Sequence, residues 1–425
     1  MVRRRARKFS AQNYRPTDFV EKEYVDIVTL YALRIIIDLG GHKELIDRYN
    51  DLTKQSLSYF LGLEEFAQKD GDEYKRSDVM EVLYERYEEI NKRSPSLSGT
   101  PLFRNIEKLR RLISLERDEM EMLAFFVLVE QYEVLEEATE LLGSALNFMQ
   151  ILHHVAKILH IPKKRIEQIA NESILFRSGF ISFDERMGRH RFEAKIEFLN
   201  DSIPSRLFQN NADILDLFKD SFRKLGGASL SLQDYSHIQK DVEILLPYLQ
   251  KATASDHKGV NILLYGKPGT GKTELTKLLA KRLGRELFEV SYVDENGEAI
   301  DGSRRLKAYK SAQTFLYNRP ALLLYDEAED IFESSGGFLF APPMRQKDKA
   351  WINRMLESNG VPTVWVTNNI DSIDPAIVRR FDFVLEVPIP PIQKRKEILK
   401  SMPMIFWTRE AWRSWPKRSI SLQPL

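Results

Sequence analysis

Two short runs carry the residue types that phosphoryl chemistry needs. Gly266-Lys267-Pro268-Gly269-Thr270-Gly271-Lys272-Thr273 fits the pattern G-x-x-x-x-G-K-[ST] in full. Glycines are required there because the loop wraps a phosphate with backbone N–H groups, and side chains would block that approach. Lys272 is placed to reach the β- and γ-phosphates of a nucleotide, and the Thr273 hydroxyl to ligate Mg²⁺. Glu274 follows in the first turn of the next helix, whose amino end adds partial positive charge. The second run is Ala321-Leu-Leu-Leu-Tyr-Asp-Glu327. It reads as a buried strand delivering Asp326 to its carboxyl end to hold Mg²⁺, with Glu327 beside it to polarise an attacking water.

These runs need a scaffold, and the surrounding pattern supplies one. Asn261–Tyr265, Leu287–Ser291, Ala321–Tyr325, Thr363–Thr367 and Val384–Val387 are short and mostly apolar, as fully buried parallel strands are. They alternate with helical patterns, one of them over Glu274–Leu283 directly after the glycine loop. The expected fold is an α/β P-loop NTPase domain: a parallel five-stranded sheet with helices on both faces. It is preceded by a mainly α N-terminal region, since apolar residues from Val25 to Ile36 and from Val79 to Tyr87 recur at helical spacing. Met122–Leu135 is apolar nearly all round, the mark of a buried helix.

Within that region, residues 146–200 run helix, strand, basic turn, strand, the outline of a winged helix. Phe180–Phe183 and Phe192–Leu199 are the strands, and Arg186-Met-Gly-Arg-His-Arg191 is the turn. The turn reads either as a nucleic-acid contact or, preferably, as the solvated end of a packing hairpin. The expected divisions are a basic tail (1–17), a helical domain (18–205), a linker (206–232) around Leu225-Gly-Gly-Ala-Ser-Leu-Ser231, the nucleotide-binding core (233–391) and a short C-terminal part (392–425).

Composition bounds the alternatives. The 425 residues carry a net charge of +1, so no overall field draws the chain to nucleic acid or an acidic membrane. Cysteine is absent, which excludes disulfides, a thiolate nucleophile and cysteine-ligated metal clusters. The most apolar early run, Val25–Leu39, is too short for a bilayer and is interrupted by Arg34 and Asp38, so no membrane span is expected. The first seventeen residues hold six Arg or Lys and no acid before Asp18. A solvated tail in a cytoplasmic protein is the expectation, with a transit peptide as the alternative. His153-His154 reads as a helix pair rather than a metal site.

In order and spacing, the motifs from about Gln233 to Pro391 resemble the AAA branch of the AAA+ ATPases. Thr367-Asn368 resembles the family's sensor 1, which makes Asn368 an orienter of the lytic water. Asp374-Pro-Ala-Ile-Val-Arg-Arg-Phe-Asp382 resembles the segment whose arginines enter a neighbouring subunit's ATP site. Arg380 is the better arginine-finger match and Arg379 the second. Asp234-Tyr-Ser-His-Ile238 resembles the segment lining the adenine pocket, where Tyr235 or Ile238 would pack on the base or else serve as a hydrophobic anchor. The resemblance implies ATP and Mg²⁺ as ligands, a homo-oligomer (a hexamer in the family), and a protein partner recruited through residues 18–205.

Three departures accompany the resemblance. The family's pore-loop aromatic falls at Ile300, followed by Asp301; the arginine segment is shortened; and the helical lid that begins at Pro388–Leu399 has little chain after it, with Trp407, Trp412 and Trp415 in the tail. The tail reads as a truncated frame or a reduced lid. The leading function is ATP hydrolysis coupled to remodelling of a partner. A nucleotide-gated binding module with little turnover and a DNA-associated ATPase are the alternatives.

Overall fold

The structure is a computed structural model that describes residues 15–183, 191–192, 195–254, 257–293, 300, 302–332 and 346–401. The chain divides into two compact units, Met1–Leu217 and Phe218–Leu425.

The first unit is helical, with α1 (Val25–Ile37), α2 (Arg76–Arg93), α3 (Pro101–Ile113), α4 (Arg117–Gln131), α5 (Glu133–Glu140), α6 (Phe148–Leu159) and α7 (Lys163–Glu172) as its longer elements. Helices α1 and α4 are apolar on nearly every face and form the centre, where Tyr31 meets Phe125 edge-on at 5.3 Å. The starts of α3 and α6 are encoded locally. The Thr100 hydroxyl accepts from Phe103 N at 3.2 Å with Pro101 next in line, and Asn147 and Gln150 exchange bonds at 2.9 Å in a capping box. On α6, burial and the neighbouring His153 push the His154 imidazole down to about 4, which keeps it neutral. Among the described residues no three His, Cys, Asp or Glu side chains gather as a metal site.

A hairpin follows, β1 (Ile181–Phe183) antiparallel to β2 (Ile196–Phe198). Its Phe183 stacks on Phe176 at 5.2 Å and meets Phe148 edge-on at 5.0 Å, so the hairpin is packed against the helices before it. Of the basic turn, Arg186 and Arg189 lie outside the described residues, while Arg191 is paired with Glu140 of α5.

The second unit contains a six-stranded sheet: β3 (Phe222–Lys224), β4 (Asn261–Tyr265), β5 (Glu286–Val290), β6 (Ala321–Tyr325), β7 (Thr363–Thr367) and β8 (Phe383–Glu386). Their order across the sheet is β3-β5-β6-β7-β4-β8. The five strands expected from sequence are parallel to one another. The sixth, β3, adds antiparallel to β5 at one edge. Residues 206–232, read as a linker, include this edge strand, which Leu225 N continues by bonding to the Leu287 carbonyl at 2.9 Å. Around the sheet lie α8 (Gln239–Ala254), α9 (Lys272–Arg282), α10 (Gly302–Phe315), α11 (Gln346–Ser358) and α12 (Ile392–Ser401). The core beneath α8 and α9 is aliphatic, with Leu245, Ile262, Leu264, Leu275, Leu324 and Val364 buried together.

Candidate functional site

The glycine loop begins where β4 ends and closes where α9 starts, so a phosphate held there would sit at the carboxyl edge of the sheet and at a helix amino terminus. Two of its glycines are obligatory for different reasons. A Cβ on Gly266 (φ +147°) would lie 2.4 Å from the Val387 carbonyl oxygen, and one on Gly271 (φ +91°) would lie 2.7 Å from the Tyr235 hydroxyl. Thr270 braces the turn by donating from its hydroxyl to the Lys267 carbonyl at 3.0 Å; Lys267, Pro268 and Gly269 form its exposed crest.

Lys272 is buried, and its ammonium donates to the carbonyls of Gly266 (2.7 Å) and Lys267 (3.1 Å) and to Asn368 Oδ1 (3.0 Å). Burial pulls its pKa down while Asp326 and Glu329 pull it back up. One residue on, the Thr273 hydroxyl donates to Asp326 Oδ2 at 2.8 Å. A hydroxyl and a carboxylate oxygen side by side are hard donors of the kind Mg²⁺ takes when its remaining positions are filled by water and phosphate, so the residues present fit that ion.

Glu327 follows Asp326 in a left-handed conformation (φ +53°), uncommon for a residue with a Cβ, and is exposed at the strand end. Arg305 of α10 fixes this turn. Its guanidinium lies over the Tyr325 ring at 4.2 Å and donates to the carbonyls of Asp326 (2.6 Å) and Glu327 (3.4 Å). Glu329 accepts the Asn368 backbone N–H, linking the end of β7 to the segment after β6. Sequence reading missed both residues. Glu329 sits two positions past Glu327 and was within reach of the motif, but nothing local marks Arg305, whose partners lie about twenty residues away.

The structure thus brings Gly266 through Thr273, Asp326, Glu327 and Asn368 to one edge of the sheet. It does not bring Arg379 or Arg380 there. Both are exposed, and Arg380 pairs with Glu357 of α11. Asp382 just beyond them accepts from Asn261 N at 2.7 Å, which pins the segment to the first residue of β4. Five strand residues at about 3.3 Å each separate that end from the glycine loop.

Two further expectations fall on side chains that have partners inside the fold. The Glu274 carboxylate is engaged by Ser229 N and Oγ (2.8 and 2.9 Å) and by Lys277 (2.7 Å), which leaves only its helix-end backbone for a phosphate. Tyr235 and Ile238 are core residues, and the Tyr235 hydroxyl donates to the Gly271 carbonyl at 2.7 Å, so of the two readings the hydrophobic anchor fits these side chains. Tyr235→Phe keeps the packing and frees that carbonyl. A net hydrogen bond is worth about 1 kcal/mol, so the expected loss in ATP affinity is about fivefold with the fold intact, as calorimetry and circular dichroism would read. On the opposite side of the same segment, Asp234 lies 3.7 Å from Lys394 of α12. Of the pore-loop positions, Ile300 bonds to the Tyr292 carbonyl at 3.0 Å, while Asp301 and residues 294–299 lie outside the described residues, as do Trp407, Trp412 and Trp415.

Comparison with known proteins agrees with this geometry. Residues 262–389 match the family model described as "ATPase family associated with various cellular activities (AAA)". The chain is similar to ATPase family gene 2 protein homolog B of Bos taurus, 34% identical over 147 residues, covering 33% of this chain and 19% of the relative. It is similar to a proteasome-activating nucleotidase of Thermococcus onnurineus, 30% identical over 196 residues, covering 42% and 46%. A third relative is the ATP-dependent zinc metalloprotease FtsH of Malacoplasma penetrans, 30% identical over 203 residues, covering 42% and 23%. The chain thus spans less than half the length of these relatives. The strand order, the glycine loop and the family match together mark residues 262–389 as an AAA ATPase domain of the AAA+ superfamily.

Proposed function

We propose that the chain binds Mg·ATP at this edge of the sheet, hydrolyses it, and couples turnover to remodelling of a protein partner recruited through residues 18–205. The observation that carries the reading is the pairing of Thr273 with Asp326 at 2.8 Å beside a buried Lys272 in contact with Asn368. Thr273 and Asp326 would hold the Mg²⁺, which when bound would supply positive charge against the charge developing on the phosphates. Lys272 and the backbone N–H groups of 266–273 hold the phosphates. Asn368 orients the attacking water, and Glu327 accepts its proton as the new oxygen–phosphorus bond forms. The bond from the γ-phosphorus to the bridging oxygen breaks, its electron pair staying on ADP, and inorganic phosphate leaves.

Among the described residues Lys272 is the cation brought onto both the glycine loop and Asn368; Arg380 of an adjacent copy would add a second, in a homo-oligomer such as the hexamer typical of the family. Until copies assemble, the domain acts as a nucleotide-gated module with little turnover. The pairing of Arg380 with Glu357 within the chain favours this second state for the isolated protomer. A protein partner is preferred to DNA because Arg191 is already held by Glu140, a carboxylate it shares with Lys54. Changing Arg186, Arg189 and Arg191 to Ala is therefore expected to leave partner binding unchanged, and duplex binding by the unaltered chain to be weak at physiological salt. Tight, steeply salt-dependent duplex binding lost in that variant would reverse the preference. A cytoplasmic location is consistent with this reading; among the described residues no helix is long and apolar enough to cross a membrane.

The test of the binding step is calorimetry on Lys272→Ala. Its ammonium supplies charge that backbone donors cannot replace, so ATP affinity should fall by about thirtyfold to a few thousandfold, the 2–5 kcal/mol that loss of one charged partner costs. Equal affinity in the variant would end the assignment.

A further inference from the structure

The N-terminal unit holds a half-open pocket of about 570 Å³, within the size range of ligand sites generally. Part of its wall is apolar: Ile27, Leu30 and Tyr31 of α1, Met120 of α4 and Leu159 at the end of α6 are all buried, beside charged and hydroxyl-bearing side chains. Two arginines at its margin are neutralised, Arg110 by Glu107 at 2.7 Å and Arg117 by Glu121 at 2.9 Å. Arg34 is not. One Nη donates to the Ile158 carbonyl, Nε is buried without a partner, and among the described residues no carboxylate pairs with it. A guanidinium has five N–H donors and is always charged, so a pocket in which one of them is buried without a partner has room for an anion. The turn Ser94-Pro-Ser-Leu-Ser98 also lines the pocket; its Ser94 hydroxyl donates to the Asn91 carbonyl at 3.1 Å and its Ser96 hydroxyl to Ser98 Oγ at 3.0 Å, which leaves lone pairs on both oxygens to accept.

We infer that this pocket binds the carboxyl terminus of a polypeptide whose last residue is apolar. The carboxylate pairs with Arg34, the last side chain fills the space between Ile27, Leu30 and Met120, and the preceding backbone leaves along the Ser94–Ser98 rim. With Arg110 and Arg117 paired to Glu107 and Glu121, one uncompensated cation matches one carboxylate rather than a multiply charged ligand such as a nucleotide. A hydroxyl-lined exit offers partners to peptide amides, which an acyl chain lacks; this selects a peptide over a fatty acid. The inference rests on the reading of the helical unit as the part that recruits a protein, and names what that unit grips.

The test is calorimetric titration of the full chain with N-acetyl-Gly-Ser-Gly-Leu and N-acetyl-Gly-Ser-Gly-Phe, each as free acid and as C-terminal amide, and with octanoate. The acids are expected to bind, and the amides at least about tenfold more weakly, because the charge-assisted bond is lost. Arg34→Met keeps the apolar stem and should bind acid and amide equally weakly; the acid–amide comparison on the unaltered chain stands even if that variant fails to fold. No binding of either acid at millimolar concentration, or equal binding of acid and amide, overturns the inference. Octanoate binding as well as the peptides would assign the pocket to free amphiphilic carboxylates instead. ATP turnover measured on the same samples separates the two readings: turnover without acid binding sinks only the pocket, and acid binding without turnover sinks only the hydrolase.

Discussion

Glu327→Gln should bind ATP as the unaltered chain does and lose turnover by about 10²- to 10⁴-fold, the usual worth of a general base. Its side chain stands at the end of β6, one residue past Asp326, and none of the phosphate-loop bonds involves it. The change therefore removes a proton acceptor and leaves the phosphate contacts in place. Arg305 still holds the turn, because its bonds run to the backbone carbonyls of Asp326 and Glu327 rather than to the carboxylate. Calorimetry and steady-state phosphate release on the two proteins check both halves. A variant that loses binding along with turnover would mean that Glu327 contacts nucleotide or supports the loop.

Arg380→Ala should cost about 10³- to 10⁵-fold in turnover, the range for arginine fingers, with ATP binding by the protomer nearly unchanged. Arg380 is exposed at the end of the sheet opposite the glycine loop and cannot reach its own Lys272. Its ion pair with Glu357 is between two half-exposed side chains, so the pair is worth little and breaks readily for a better anion. A trans role has a specific consequence. Mixed Arg380→Ala and Glu327→Gln protomers should recover part of the activity that neither has alone, because some interfaces then join an intact Glu327 to an intact Arg380. Assayed across mixing ratios, recovery should peak at intermediate composition. Strictly additive rates at every ratio would place the arginine outside the site.

Much of the α/β scaffold could be read directly. Asn261–Tyr265, Ala321–Tyr325 and Thr363–Thr367 coincide with strands to the residue, because a parallel strand buried on both faces is a continuous apolar run between polar ends. β3 escaped notice because Phe222-Arg-Lys224 has one buried residue and two exposed charges, as edge strands do, and its pairing with β5 spans more than sixty residues. The loop motifs announce themselves through residue types that few other structures require. Arg305 does not: an arginine on a helix usually means a solvated face, and only the fold places it over Tyr325. Tyr235 was ambiguous for a related reason. An aromatic ahead of a helix gives one pattern whether it stacks on a base or on the core, and the distinction lies in its contact with Gly271, thirty-six residues on. The unpaired Arg34 was visible only as an interruption of an apolar run, since its lack of a partner is a property of three-dimensional neighbours.

The most direct measurement isolates the protein after brief incubation with labelled Mg·ATP and quantifies the nucleotide that remains bound. If the carboxyl edge of the sheet is a hydrolytic site, Glu327→Gln should retain ATP, while the unaltered chain, assembled at high protein concentration, should retain ADP. Bound ATP undiminished in both proteins would contradict hydrolysis at this site, and no bound nucleotide in either would contradict the site itself.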